Sequence, residues 1–235
     1  MSTFQPQTKS ELQTAVDAWV SNQSSATATY GAINTWDTSA VTDMSSLFSK
    51  SRNSSMSQFN SDISNWNTSS VTNMSSMFRD AFDFNQPLGQ WNVSQVTDMN
   101  SMFANAVDFN QDISIWDTSK VTNISYMFDN ASSMDQPLQY WVTSSVTSNM
   151  FMSGYDLTFR NATAMLARGF PVNPTSGDFN QPLPAGSNTS APDTNTDTAG
   201  VQAELQAIDD NDTSASLSDA GNNKKRLAIA LAKLT

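Results

Sequence analysis

The twenty residues FNSDISNWNTSSVTNMSSMF (59–78) return as FNQPLGQWNVSQVTDMNSMF (84–103) and again as FNQDISIWDTSKVTNISYMF (109–128). A chain that rewrites itself at a fixed interval must place every copy in the same surroundings, and periods of about 20–50 residues belong to stacked arrays. Trp36, Trp66, Trp91, Trp116 and Trp141 recur 30, 25, 25 and 25 residues apart. The odd interval has a local origin. SKSRNSSMSQ (49–58) carries 5 residues more than its counterparts and reads as a loop bulging from one coil.

Within a unit the apolar spacing changes character. Val71, Met74, Met77, Phe78 and Ala81 fall on one face of a helix, and Val96, Met99, Met102, Phe103, Ala106 repeat them. Ser69 and Thr72, just ahead, are placed to cap its amides. Phe84, Leu88 and Trp91 then recur as Phe109, Ile113 and Trp116 in a short extended stretch rich in strand formers. The expectation is an α/β repeat, one short strand and one short helix per coil of a solenoid.

Magnitude makes stacking compulsory. A unit offers about seven apolar side chains worth roughly 1.5–3 kcal/mol each when fully buried. Ordering its backbone costs about 1–2 kcal/mol per residue. No unit folds alone; units that share faces do. Composition agrees: apolar residues are 38% and charged residues 14% of the 235 residues, too little for a large globular core but enough for a narrow column.

The ends of such a column need covers. Leu12, Ala15, Val16 and Trp19 make one helical face, and Ser10 with Gln13 forms an S-x-x-Q box that would start it. The organisation read from these signals is a helical cap over 1–30, repeats over 31–183 and a tail over 184–235. The last coil becomes irregular from about 149, where VTSNMFMSG slips register; FNQPL returns once at 179–183. The tail opens with linker composition and ends in a short basic amphipathic stretch, Lys224–Leu234, weak as a helix at that length.

Several function classes recede. The net charge of −11 opposes nucleic-acid binding, which needs a basic stripe. Neither His nor Cys is present, which removes the commonest general base, the best nucleophile and thiolate metal sites. No signal peptide, lipobox cysteine, anchor or transmembrane run is evident, so the compartment stays open. No cofactor is implied.

Four polar patterns carry alternatives. Asn60, Asn85 and Asn110, continued by Asp135 and Asn180, read as a ladder satisfying loop amides. Thr42, Thr72, Thr97, Thr122 and Thr147 read as capping or turn chemistry, with ordered water or ice templating the alternative. Asp62 and Asp112 sit two coils apart, on the order of 10 Å at one strand spacing per coil, near an inverting glycosidase separation of about 6.5–9.5 Å. Finally, Asp193, Asn195, Asp197 and Glu204 occupy positions 1, 3, 5 and 12 of a calcium loop, but Thr198 replaces its glycine and no entering helix precedes it. Asn67, Asn73, Asn92, Asn123 and Asn161 open N-x-[ST] sequons, which an Asn/Ser/Thr-rich chain produces freely.

The pattern FNQ[DP][IL]SxW[DN]TSxVTNMSSMFxxA, over about Trp36 to Met152, resembles the repeat of bacterial surface proteins found in mycoplasma and Listeria lipoproteins and related to BspA-type leucine-rich repeats. SELQTAVDAWV resembles the lead-in of such arrays. The resemblance implies a short right-handed leucine-rich-repeat-like solenoid, cell-surface or extracellular display, and adhesion to a protein or glycan partner without catalytic residues. The leading expectation is thus a non-enzymatic binding module. The alternatives are a structural spacer, and behind it a polysaccharide-acting enzyme or an ice-binding surface.

Overall fold

The computed structural model describes residues 3–138, 141–147 and 158–167, all within one unit, Met1–Phe179. Helix α1 (Lys9–Ser21) starts at Thr8, whose hydroxyl accepts the Glu11 amide, while Glu11 Oε2 accepts the Gln7 amide. The T-x-x-E pair therefore starts the helix, one half-turn earlier than the Ser10/Gln13 box. Leu12, Ala15, Val16 and Trp19 are its buried face. Asn22 ends α1 and caps α2 (Gln23–Tyr30) through Oδ1 and the Ser25 amide.

From Trp36 onward the units lie side by side in parallel register. Single bridges join Asp43 to Asn73, Asn73 to Asp98 and Asp98 to Asn123. The Thr72 amide donates to the Thr42 carbonyl, Thr97 to Thr72 and Thr122 to Thr97, each at 2.8 Å. The expected strand contracts to this bridge position: no named strand occurs among the described residues.

The expected helix is also replaced. The amides of Met74, Ser76, Phe78 and Asp80 cross to Asp98, Asn100, Met102 and Ala104 of the next unit. Only the alternate amides bond locally, Met77 to Met74, Arg79 to Ser76 and Ala81 to Phe78, three residues back. An α-helix would direct all of them along its own axis; a stack recruits half of them sideways. The resulting chain of turns needs left-handed backbone at Ser76 and Asp80, and at Ser101, Asn105, Tyr126 and Asn130. Asn and Asp tolerate that region best, which accounts for the Asp/Asn column at 80, 105 and 130. With no helix in these units, Ser69 and Thr72 cap nothing.

The core is a pair of interlocked phenyl columns flanked by indoles. Phe48, Phe78, Phe103, Phe128 and Phe159 stack with successive centroids 5.3, 5.5, 5.7 and 5.4 Å apart. Phe59, Phe84 and Phe109 form a second column at 6.0 and 6.1 Å, packed on the first at 4.0 to 4.1 Å. Trp36 stacks on Trp66 and Trp116 on Trp141. Each indole N–H reaches the preceding unit's carbonyl: Trp66 to Ile33, Trp91 to Ile63, Trp116 to Leu88, Trp141 to Ile113. Gly89 marks a close approach, since a Cβ there would stand 2.7 Å from the Asp112 carbonyl oxygen.

Two irregularities are built into the stack. The insertion at 49–58 is a clamp and not a passive bulge. It forms a 3-10 helix (Ser54–Gln58), buries Met56, and sends Arg52 to both oxygens of Asp17 on α1 at 2.8 Å, with Asn53 joining at 2.8 Å. Arg52 also donates to the Leu47 carbonyl. At the other end Phe159 follows Phe128 by 31 residues, yet the Phe128 amide bonds Thr158 and the Asn130 amide bonds Arg160. TFRNA (158–162) thus takes the place of MFDNA (127–131), followed by α3 (Thr163–Ala167). Arg160 closes the register on buried Asp129.

Candidate binding face

Many outward polar side chains are occupied in holding neighbouring units. Asn60 Oδ1 accepts the Asn85 amide and the Gln86 side chain; Asn85 and Asn110 repeat this toward Asn110/Gln111 and Asp135/Gln136. This column is an amide ladder. Asn180 lies outside the described residues. A second ladder runs through the left-handed positions, Asn105 to Asp80, Asn130 to Asn105 and Asn161 to Asn130.

Thr42, Thr72, Thr97, Thr122 and Thr147 are exposed, but the hydroxyls of Thr72, Thr97 and Thr122 donate to the carbonyls of Thr42, Thr72 and Thr97. Their task is joining units, not capping. A buried threonine column does the same one step away: Thr38, Thr68 and Thr118 donate to the carbonyls of Asn67, Asn92 and Val142.

Asp and Asn ahead of Ser form side-chain turns. Asn67 Oδ1 accepts the Ser69 amide, Asn73 that of Ser75, Asn92 that of Ser94 and Asn123 that of Ser125. The sequon spacing is the spacing of this turn. Asn161 spends its amide on Asn130 instead. Asp62 and Asp112 play the turn role toward Ser64 and Ser114. The Ser64 backbone amide, then its hydroxyl, hold the Asp62 carboxyl below the ordinary Asp range. That stabilises the charged form, the reverse of what a proton donor near neutrality requires.

Two carboxylates stand apart. Asp83 and Asp108 are exposed, and among the described acidic residues these two alone make no side-chain hydrogen bond or ion pair. Their backbones are in register: the Asp83 amide donates to Ser57, the Asp108 amide to Phe82 and the Ser133 amide to Val107. Two like charges therefore stand at the same position of neighbouring units along this edge. Beside them run Gln86 and Gln111. Sequence reasoning passed over this pair, whose signal was the recurrence of Asp immediately before FNQ at 83 and 108. No group of three or more ligating acids that would hold a metal occurs among the described residues; Asp193, Asn195, Asp197 and Glu204 lie outside them.

The family model described as "Mycoplasma protein of unknown function, DUF285" matches residues 14–111 and 51–165. The chain belongs to this family. The matched span of the DUF285 chain opens inside α1 and closes inside α3, so it takes in part of the cap, the clamp and every described unit. No curated protein and no solved structure matches it. No described helix of the DUF285 chain is long and apolar enough to cross a membrane.

Proposed function

We propose that the stacked units form a short solenoid that works without catalysis, using its Asp83–Asp108 edge to bind a protein or glycan partner at a cell surface. Surface display and kinship with leucine-rich repeats come from the resemblance of the repeat to bacterial surface proteins. The Asp83/Asp108 pair carries the reading. Like charges on adjacent rungs destabilise a sheet-like ladder, and neither carboxylate repays that cost with a bond inside the fold. A partner offering cationic groups or sugar hydroxyls would. The experiment is a glycan array and a cell-surface pull-down with the full chain, repeated with Asp83→Asn/Asp108→Asn. The double variant should unfold at the same or a higher temperature and lose most of the captured signal. Capture that survives the substitution, or blank arrays and pull-downs with the wild type, overturns the reading.

A spacer is the second reading. It draws on the many outward residues that are fully engaged between units, which leaves few side chains free to recognise anything.

A further inference from the structure

The Lys50 ammonium lies over the Phe82 ring, 4.9 Å from its centroid. Among the described basic side chains Lys50 alone forms neither an ion pair nor a side-chain hydrogen bond. Every other one meets a carboxylate or, for Lys120, the Gln95 side-chain oxygen. Phe82 directly precedes Asp83, and Val107 directly precedes Asp108. Both apolar side chains are half-buried and both carboxylates are exposed. The Asp108 amide donates to the Phe82 carbonyl, which sets the two pairs on neighbouring rungs. The column of the two acids is neutral on either side, Gln58 before and Ser133 after. The edge is therefore a patch two rungs wide, and each rung sets an apolar surface beside a carboxylate.

We infer that this patch takes lysine and arginine side chains of a polypeptide partner, and that Lys50 is their resident stand-in. The inference rests on the binding reading of the Asp83–Asp108 edge and narrows it from protein or glycan to a cationic segment. A Lys or Arg side chain is an apolar stem with a charged head, the complement of an apolar surface beside a carboxylate. Its head donates hydrogen bonds and accepts none, which suits carboxylates that only accept. A sugar ring would stack on the aromatic face of the patch, and Lys50 already covers Phe82. The attraction of a cation to the ring face is thus used inside the fold, while the two carboxylates beside it stay unpaired. An incoming cation has to displace Lys50 or sit beside its like charge, so Lys50 lowers the affinity of the patch for its partner.

The test titrates the full-length protein with a fluorescent hexalysine peptide at about 0.1 M salt, where a Debye length of about 10 Å limits attraction to nearby charges. Asp83→Asn/Asp108→Asn should weaken binding about tenfold. Asp62→Asn/Asp112→Asn removes as much charge from side-chain turns of the kind that Asn67 and Asn92 also make; it should change binding by less than about twofold. Lys50→Ser should tighten binding by about two- to fivefold, and Lys120→Ser, which removes the same charge elsewhere, should not. Equal losses in the two double variants, or equal gains in the two lysine variants, reduce the effect to overall charge and overturn the inference. An array of uncharged oligosaccharides separates it from the reading beneath it. Sugar captured through Asp83 and Asp108 where hexalysine is not leaves the edge as a binding site and overturns the cationic partner; capture of neither overturns both.

Discussion

The middle of the stack and its amino-terminal end are held together by different means. Between Trp66 and Trp141 the main ties recur from unit to unit: the same phenyl on phenyl, the same indole to carbonyl, the same amide ladder. Over residues 5–63 a second set of ties, each made once, is added to the repeated ones. Lys9 bonds Asp43 and Ser45, Arg52 and Asn53 grip Asp17, Trp19 donates to Ser61 and Gln5 reaches Asp37. A repeated tie is selected in several units at once and shields apolar surface. A unique tie joins two dissimilar surfaces, and at this end it is charged and partly wet.

Removing a ring from the middle separates the two regimes most sharply. Phe103 is fully buried between Phe78 and Phe128 and against Phe109. Phe103→Ala should cost about 3–5 kcal/mol, the range for truncating a buried aromatic. Chemical denaturation should show the whole stack weakened, because each unit depends on its neighbours. A cost below about 1 kcal/mol would mean that the columns are not the source of stability.

The clamp comes next. The Arg52 side chain is 17% exposed, and its loss strands the Leu47 carbonyl and leaves Asp17 with Asn53 as its partner. Arg52→Ala should cost about 1–3 kcal/mol, as for a hydrogen bond to a charged group with a partner left behind. Amide exchange should quicken in α1 while the amides of 96–130 keep their protection. Arg79, half exposed and 3.8 Å from Asp80, is the comparison. Arg79→Ala should stay within about 0.5 kcal/mol of wild type. Equal exchange increases in both regions would merge the regimes that the structure separates.

This division also explains what could be read from the sequence. The columns were legible because a period of 25 repeats the same requirement; so were the Asn60–Asn85–Asn110 ladder and the buried face of α1. Local secondary structure was not. Val71, Met74, Met77, Phe78 and Ala81 carry helical spacing, yet the amides of Met74 and Phe78 find better partners in the next unit than four residues back. Unique ties were invisible for a different reason. Nothing in SKSRNSSMSQ says that Arg52 meets Asp17, 35 residues earlier. Phe159 escaped notice because six inserted residues hide FRNA from a search at fixed period, although FDNA at 128–131 is its template. The Asp83/Asp108 edge was visible as letters but acquires meaning only once every other acid among the described residues is seen to be engaged.

Acid should act on the amino-terminal end first. Of the described carboxylates, those held below the ordinary Asp range are Asp37, Asp43 and Asp62. The Ser39 hydroxyl and backbone amide hold Asp37 down. For Asp43 burial pushes upward, and the Ser45 amide and hydroxyl with Lys9 outweigh it. Asp62 is held by Ser64. A carboxyl that loses its proton more readily when folded adds stability above its unfolded value of about 3.9, and that contribution fades as pH falls through the lower folded value. Asp43→Asn removes the Lys9 pair and the titration together. The gap between wild type and Asp43→Asn in urea midpoint should therefore be open at about pH 6 and narrow below about pH 4. Asp62 is exposed and Asp37 and Asp43 are half-buried, so solvent screens all three, and this is the smallest of the effects. A gap that widens on acidification would reverse the sign assigned to Asp43 and detach the cap from any acid response.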